Sequence, residues 1–91
     1  MSKTTVLMSE VAITDLETVW RATLDTSGRE DADALYIDLI AQLKKIATDF
    51  TLGKSIENIR DGYRILATAG HCIYYRADVI NKVDIIRVLP R

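Results

Sequence analysis

The stretch YRILATAGHCIYYRADVINKVDIIRVL, residues 63–89, decides the fold because it reads as three consecutive β-strands. Apolar, β-branched and aromatic residues dominate three runs in it, Tyr63 to Thr68, His71 to Ala77 and Val83 to Leu89. Ala69-Gly70 separates the first two runs and residues 78–82 separate the last two, so both connections have the length of hairpin turns. The pattern predicts a three-stranded antiparallel meander.

The last of these runs is apolar on both of its sides. Side chains alternate between the two faces of a strand, which groups Val83, Ile85, Arg87 and Leu89 on one side and Asp84, Ile86 and Val88 on the other. A sheet covered on one face only would therefore expose apolar residues on its other face. Such a face is a candidate interaction surface.

Two helical patterns precede the meander. Ser9 is placed to cap the first helix, which ends near Thr26-Ser27-Gly28. The second pattern keeps a 3.6-residue period from Ala32 to Phe50, and Gly53 follows its end. The short link around Gly28 predicts a helix hairpin. Trp20 and Tyr36 lie on the apolar stripes and are predicted to belong to the core.

These elements predict one domain spanning residues 1–91. Residues 4–8, TTVLM, add a short strand before the helices, while residues 54–61 read as a loop. The expected fold class is α+β with two layers in the order β-α-α-β-β-β, with the helix hairpin packed on one face of a mainly antiparallel sheet.

Composition places the chain among ordinary globular proteins and gives it a polarised charge. Of its 91 residues 48% are hydrophobic and 27% charged, and its single cysteine excludes an intramolecular disulfide. The apolar run at residues 6–8 is far shorter than a signal-peptide core or a membrane span of about 20 residues, so we expect a cytoplasmic protein. Residues 1–53 contain 5 Lys/Arg against 9 Asp/Glu, and residues 54–91 contain 7 against 4. The basic half would attract an acidic partner.

Common kinds of catalytic site find little support in the sequence. The only histidine, His71, is adjacent to the only cysteine, Cys72, and neighbours in a strand point to opposite faces, so they are not expected to form a catalytic pair. One histidine and one cysteine are also too few for a metal site. Gly62 and Gly70 are predicted to be turn residues rather than part of a phosphate loop.

Arginines and tyrosines of the meander leave a nucleic-acid or RNase reading open. Arg60, Arg64, Arg76 and Arg87 could form one electropositive surface that holds a phosphate. Alternatively each arginine is solvated or forms a surface ion pair, for which Asp61, Asp78 and Asp84 are the nearby candidates. Tyr63, Tyr74 and Tyr75 could stack on bases, but Tyr74 and Tyr75 face opposite ways.

The meander resembles the ParE branch of the RelE/ParE toxin superfamily of bacterial type II toxin–antitoxin systems. The resemblance rests on Ile59-Arg60-x-Gly62-Tyr63-Arg64, on Gly70-His71-x-Ile73-Tyr74-Tyr75-Arg76, and on Val83-Asp84-Ile85-Ile86-Arg87-Val88-Leu89. Upstream, Ala12-x-x-Asp15-Leu16-x-x-Val19-Trp20 and Gly53 agree with it. It implies a toxin neutralised by a cognate antitoxin, whose partly disordered end folds around it in a higher-order complex.

The superfamily divides by activity, and this chain departs from the RNase branch. In that branch, the resemblance would place lysines at Tyr63 and Ile65 and an arginine at Cys72. The alternative of ribosome-dependent mRNA cleavage of the RelE type is therefore less well supported than inhibition of DNA gyrase by protein binding, without catalysis, cofactor or metal. The family's short tail after the last strand is here Pro90-Arg91, which leaves a weaker gyrase contact or a different target as alternatives.

The resemblance and the charge pattern together predict a binding surface for the antitoxin or the target. Its expected residues are Arg60, Tyr63, Arg64, Arg76 and Arg87. Direct contact with DNA is expected only through the antitoxin complex, and contact with a membrane is not expected.

Overall fold

The computed structural model of the chain describes residues 4–68, 70–79 and 81–91. Ala69 and Ile80, which belong to the two predicted hairpin turns, lie outside the described residues, as do residues 1–3. The elements are β1 (Thr5–Met8), α1 (Glu10–Ser27), α2 (Arg29–Thr48), a 3₁₀ turn (Phe50–Leu52), β2 (Lys54–Ser55), β3 (Tyr63–Ala67), β4 (His71–Val79) and β5 (Lys82–Pro90). The predicted α+β fold is confirmed, with one addition: the two-residue strand β2 lies in the segment that was expected to be a loop.

The five strands form one sheet in the order β1-β5-β4-β3-β2. β1 runs parallel to β5, whereas the pairs β5-β4, β4-β3 and β3-β2 are antiparallel. The sheet is therefore mainly antiparallel, as predicted. Its two edges are β1 and β2.

Both ends of α1 are capped. The cap at its start also joins the helix to the sheet. The Ser9 hydroxyl accepts a hydrogen bond from the N–H of Ala12 at 2.9 Å and donates one to the carbonyl of Ile86 at 2.8 Å, so the N-cap also ties the helix to β5. Gly28 separates α1 from α2 at a φ of 89°. This left-handed region favours glycine, which explains why a single residue can reverse the chain between two helices.

The core lies between the helix hairpin and one face of the sheet. Tyr75 is the largest side chain that is completely buried, with an exposed fraction of 0%. The other buried members come from both helices and from β4 and β5: Ala12, Leu16, Val19, Leu39, Leu43, Ile46, Ile73, Val83, Ile85 and Val88. Neither helix in the described part of the chain has the length and apolarity needed to cross a lipid bilayer.

A β-bulge in β5 changes which residues face the core. Tyr75 pairs with Ile85, but Tyr74 pairs with Arg87, so one residue of β5, Ile86, has no residue opposite it. Val88 therefore returns to the core beside Ile85, and Arg87 points to the opposite face. The simple alternation predicted for this strand is wrong beyond Ile85. The inserted residue shifts the alternation by one position, so each later side chain lies on the face opposite to the predicted one.

Two predicted core residues are also misplaced. Tyr36 is 40% exposed, and Trp20 is only partly buried. Trp20 and Tyr36 lie towards the tip of the hairpin, where every residue from 25 to 31 is exposed. Their helical spacing was read correctly, but at this position the helices pack only on each other.

Candidate interaction face

The sheet surface opposite the helices, which we call the open face, is built from β3, β4 and β5. Residues directly opposite each other in an antiparallel pair project to the same side. The pairings place three rows on this face: Tyr63, Arg76 and Asp84, then Ile65, Tyr74 and Arg87, then Ala67, Cys72 and Leu89. Tyr74 occupies its centre. The uncovered, partly apolar sheet face predicted from the sequence is therefore present.

One end of the open face brings together three of the five predicted site residues. Tyr63 lies opposite Arg76 in the ladder. The Arg60 guanidinium carbon lies 5.6 Å from the centroid of the Tyr63 ring, a cation–π distance. Arg60 and Arg76 are exposed and Tyr63 is half-buried. This end of the face presents an aromatic ring between two cations.

Arg87 is on the same face but is committed to an ion pair with Asp15 in α1. Its Nε and Nη2 donate to the two carboxylate oxygens at 2.7 and 3.0 Å. The hydrogen bond from Arg87 holds the pKa of Asp15 below its ordinary value and raises the pKa of Arg87. Of the expected nearby partners, Asp61 and Asp84 do not take part in this pair, and the side chain of Asp78 lies outside the described part of the structure. Asp15 is 72 residues away in the sequence, so local spacing could not reveal it.

Asp15 also satisfies the open edge of β5. β1 pairs with β5 only as far as Met8 and Ile85, after which α1 takes the place of a neighbouring strand. The N–H of Val88 donates to Oδ2 of Asp15 at 3.0 Å. A backbone donor at an unpaired strand edge is thus matched by a side chain. The pair therefore stabilises the packing of α1 against the sheet.

Arg64 lies on the opposite side of the sheet from the other predicted site residues. It pairs with Tyr75, whose ring is in the core, and its Nη1 donates to the carbonyl of Gly53 at 2.7 Å. Its guanidinium carbon is 5.7 Å from the centroid of the Phe50 ring. The prediction of one surface shared by the four arginines is therefore wrong for Arg64, because the strand alternation turns it towards the 3₁₀ turn.

The segment Phe50–Gly53, which we call the pinned loop, is held by two side chains. The Tyr75 hydroxyl accepts from the N–H of Gly53 at 2.8 Å and donates to the carbonyl of Phe50 at 2.5 Å. Burial raises the pKa of this phenol above its ordinary value. The loop exposes the side chains of Phe50 and Leu52, at 46% and 47%. Arg64 and Tyr75 therefore fix the position of an exposed apolar pair.

Sequence reasoning missed this pair and gave no weight to Ile59. Ile59 is 76% exposed in the loop before β3, next to Arg60. A large apolar residue flanked by polar residues, Asn58 and Arg60, in a predicted loop was the available signal for Ile59. Phe50 and Leu52 gave no comparable signal, since Phe50 continues the apolar spacing of α2 and Leu52 lies at the predicted end of that helix.

The chain was then compared with known proteins. It is 37% identical over 82 residues to Toxin ParE1 of Caulobacter vibrioides, covering 90% of this chain and 83% of that one. It is 31% identical over 83 residues to Toxin ParE1 of Mycobacterium tuberculosis, covering 91% and 85%. The chain belongs to the ParE toxin family. No family model matches it.

The ParE assignment agrees with the fold. A chain of a solved structure described as the chromosomal ParDE TA system from P. aeruginosa matches with a TM-score of 0.82 at 18% identity. The match covers 97% of this chain and 96% of that one. At this level of identity, the likeness establishes the fold alone.

Three positions at which the ParE-type sequence departs from the RNase branch come together on the open face. Tyr63 and Ile65 are two residues apart on β3. Cys72 lies opposite Ala67, in the row of the open face next to the row of Ile65. An aromatic ring, an aliphatic side chain and a thiol occupy the part of the sheet where the resemblance would place cations. A phosphate bound there would lack those charged ligands.

His71 and Cys72 do not meet, as predicted. Cys72 lies on the open face as a free thiol, while His71 lies on the side of the helices, in a groove beside Asp15. His71 Nδ1 is buried and has no hydrogen-bond partner among the described residues. Within residues 4–68, 70–79 and 81–91, no three His, Cys, Asp or Glu side chains are grouped as metal ligands.

Proposed function

We propose that this ParE-family chain is the toxin of a type II toxin–antitoxin pair, and that it inhibits DNA gyrase by binding rather than by catalysis. The observation that carries the proposal is the similarity to two proteins named Toxin ParE1 over nine-tenths of the chain. The description of the structural neighbour as a ParDE toxin–antitoxin system supports a cognate antitoxin as the partner. The complex is expected to be a higher-order oligomer in the cytoplasm.

The antitoxin is proposed to bind across the open face. An acidic segment would meet Arg60 and Arg76, and its apolar side chains would cover Tyr63 and Tyr74. The surplus of basic residues in positions 54–91 supports an acidic partner. The roles of Arg64 and Arg87 in binding stay predictions, and both have partners within the fold that a substitution would also break.

The distribution of cations supports binding over RNA cleavage. Cleavage without a metal needs cations converging on one phosphate, together with a proton donor and acceptor. Arg64 is turned to the pinned loop and Arg87 is engaged by a carboxylate, so neither converges with Arg60 and Arg76. Arg60 and Arg76 flank Tyr63 instead, which suits a protein surface.

Expression in bacterial cells with and without the neighbouring gene tests the function. Induction of the toxin alone should arrest growth with filamentation and an SOS response, and co-expression of the antitoxin should prevent both. Purified toxin should also inhibit supercoiling by DNA gyrase. Rapid arrest of translation with cleaved mRNA, and no effect on gyrase, would replace this proposal with the RNase alternative.

Charge reversal tests the proposed binding face. Arg76→Glu places an acid opposite Tyr63 at one end of the proposed antitoxin-binding surface, so the affinity for the antitoxin should fall about tenfold or more, which is ~1.4 kcal/mol. Arg29→Glu is the matched control, because Arg29 is exposed on the helix hairpin, away from the open face, and makes an exposed 3.7 Å contact with Asp33. Equal loss of affinity in the two variants would remove the open face from the binding site.

A further inference from the structure

The helix hairpin contains a pocket whose walls are aromatic and whose rim is charged. Trp20 on α1 and Tyr36 on α2 each lie eight residues from Gly28, and both line the same pocket. The pocket has a volume of about 430 Å³ and is lined by Glu17, Trp20, Arg21, Asp33 and Tyr36. It is on the helix layer, whereas the open face is on the far surface of the sheet.

One wall of the pocket is fixed before any ligand binds. The indole Nε1–H of Trp20 donates to Oδ1 of Asp33 at 2.8 Å, which joins the two helices and sets the orientation of the ring. The other carboxylate oxygen of Asp33 makes an exposed contact of 3.7 Å with Arg29. Asp33 can therefore accept a hydrogen bond from a ligand in the pocket while it keeps its hydrogen bond with Trp20.

The charge around the pocket favours a cation. Among the residues that line the pocket, Glu17 and Asp33 are acidic and Arg21 is basic. The wider stretch 17–38 contains six acidic side chains and two basic ones. Aromatic faces attract cations, and neighbouring carboxylates strengthen that attraction. A guanidinium group suits such a site well, because it is planar, stacks on rings and pairs with carboxylates.

Exposed apolar residues extend the site beyond a single side chain. Ile13 lies one helical turn before Glu17 and is 47% exposed, and Ile37 follows Tyr36 and is 67% exposed. Apolar surface beside a polar pocket is typical of sites that bind proteins. The occupant therefore fits a polypeptide better than a free small cation.

We propose that this pocket binds an arginine side chain of a partner protein, presented by a segment with leucine-like residues beside the arginine. The guanidinium lies between the rings of Trp20 and Tyr36 and pairs with Glu17 and Asp33. The neighbouring apolar side chains cover Ile13 and Ile37. The inference rests on the pocket alone and does not depend on the toxin function or on its target.

Fluorescence of Trp20 gives a direct measurement, because this is the only tryptophan in the chain. The probes are the acetylated and amidated peptide Ala-Leu-Arg-Ala-Leu, the same peptide with neutral citrulline in place of arginine, and arginine methyl ester. We expect a saturable change in emission with the arginine peptide, and an affinity at least about tenfold lower for the citrulline peptide, which is ~1.4 kcal/mol. Arginine methyl ester should bind more weakly than the peptide, since it leaves the apolar residues uncovered.

Charge-removing variants locate the binding site. Glu17→Gln and Asp33→Asn should each weaken the arginine peptide several-fold, and asparagine at position 33 keeps an acceptor for the Trp20 indole. Asp31→Asn is the matched control, because Asp31 is exposed on α2 and does not line the pocket. Circular dichroism checks that each variant is folded.

Several outcomes would overturn the inference. Absence of a saturable signal with the arginine peptide would reject the pocket as a binding site, and equal binding of the citrulline peptide would reject the cation. An effect of Asp31→Asn as large as that of the two pocket variants would indicate long-range attraction only. Equal affinity of the ester and the peptide would reject a polypeptide partner.

Discussion

Replacing Gly53 with alanine should destabilise the fold more than any other glycine-to-alanine change that the structure allows us to compare. A Cβ atom at Gly53 would lie 2.4 Å from the hydroxyl oxygen of Tyr75 and 2.8 and 2.9 Å from two of its ring carbons. Separations this short force a movement. The φ of Gly53 is −77°, which any residue adopts, so the cause is lack of space and not backbone strain.

The size of the destabilisation follows from the packing and the hydrogen bonds that the Tyr75 ring would lose. Its exposed fraction is 0%, so it cannot move outward without disturbing the core. Overpacking of this kind costs about 1–3 kcal/mol. Displacing the phenol also weakens its hydrogen bonds to Gly53 and Phe50, each contributing about 1 kcal/mol. We expect a loss of roughly 2–4 kcal/mol in the free energy of unfolding, a large part of the ~5–15 kcal/mol typical of a domain.

Urea denaturation followed by circular dichroism measures the effect, with Gly70→Ala as the matched control. No atom lies within 4 Å of a Cβ built at Gly70, so that variant should stay within ~0.5 kcal/mol of the parent chain. Combining Gly53→Ala with Tyr75→Phe removes the atom nearest to the new Cβ, so the double variant should be less destabilised than the sum of the single ones. A Gly53→Ala chain as stable as the Gly70→Ala chain, or strict additivity with Tyr75→Phe, would refute the close-packing argument.

Two further predictions concern the junction of α1 with β5. Ser9→Ala removes both the helix cap and the bond to Ile86, so unfolding should become easier by about 1–2 kcal/mol, whereas Ser9→Asp, which keeps a capping acceptor, should recover part of the loss in thermal melts. Asp15→Asn should cost about 1 kcal/mol near neutral pH, a value reduced because Arg87 is partly solvated. The folded-state pKa of Asp15 is lowered, so its contribution is present above the ordinary value of about 3.9 and is lost as the pH falls through the lowered pKa. The urea midpoints of parent and variant should therefore converge as the pH is lowered below that ordinary value. A difference that stays constant from neutral to acidic pH would argue against the ion pair with Arg87.

Much of the fold was predictable because regular periodicity encodes regular elements. Both helices, the meander and the parallel edge strand that precedes them produce patterns that extend over several residues. β2 contains only Lys54 and Ser55, too few for any alternation to be recognised. The bulge at Ile86 is also invisible to a period-two pattern, since it consists of one inserted residue defined by its partner strand.

The candidate site was less predictable because it depends on which face each arginine takes and on contacts between distant segments. The sequence identified Arg60, Tyr63 and Arg76, which the structure gathers at one end of the open face. It could not identify Asp15 as the partner of Arg87, because a helix must first be packed beside β5 before the two side chains meet. Gly53 shows the same limit, since the sequence indicates a helix end and only the fold shows a phenol against its Cα.

Although the net charge is only −1, acidic residues are in excess on one side of the molecule and basic residues on the other. An acidic helix hairpin and a sheet with exposed cations select partners of opposite charge, and salt should weaken both attractions. The shortest dimension of the domain is 22 Å. One partner that occupies both the open face and the pocket between Trp20 and Tyr36 therefore needs at least about seven extended residues to pass from one side to the other, at roughly 3.3 Å per residue. Shorter peptides specific for each side should bind together without competition, because the two surfaces do not overlap.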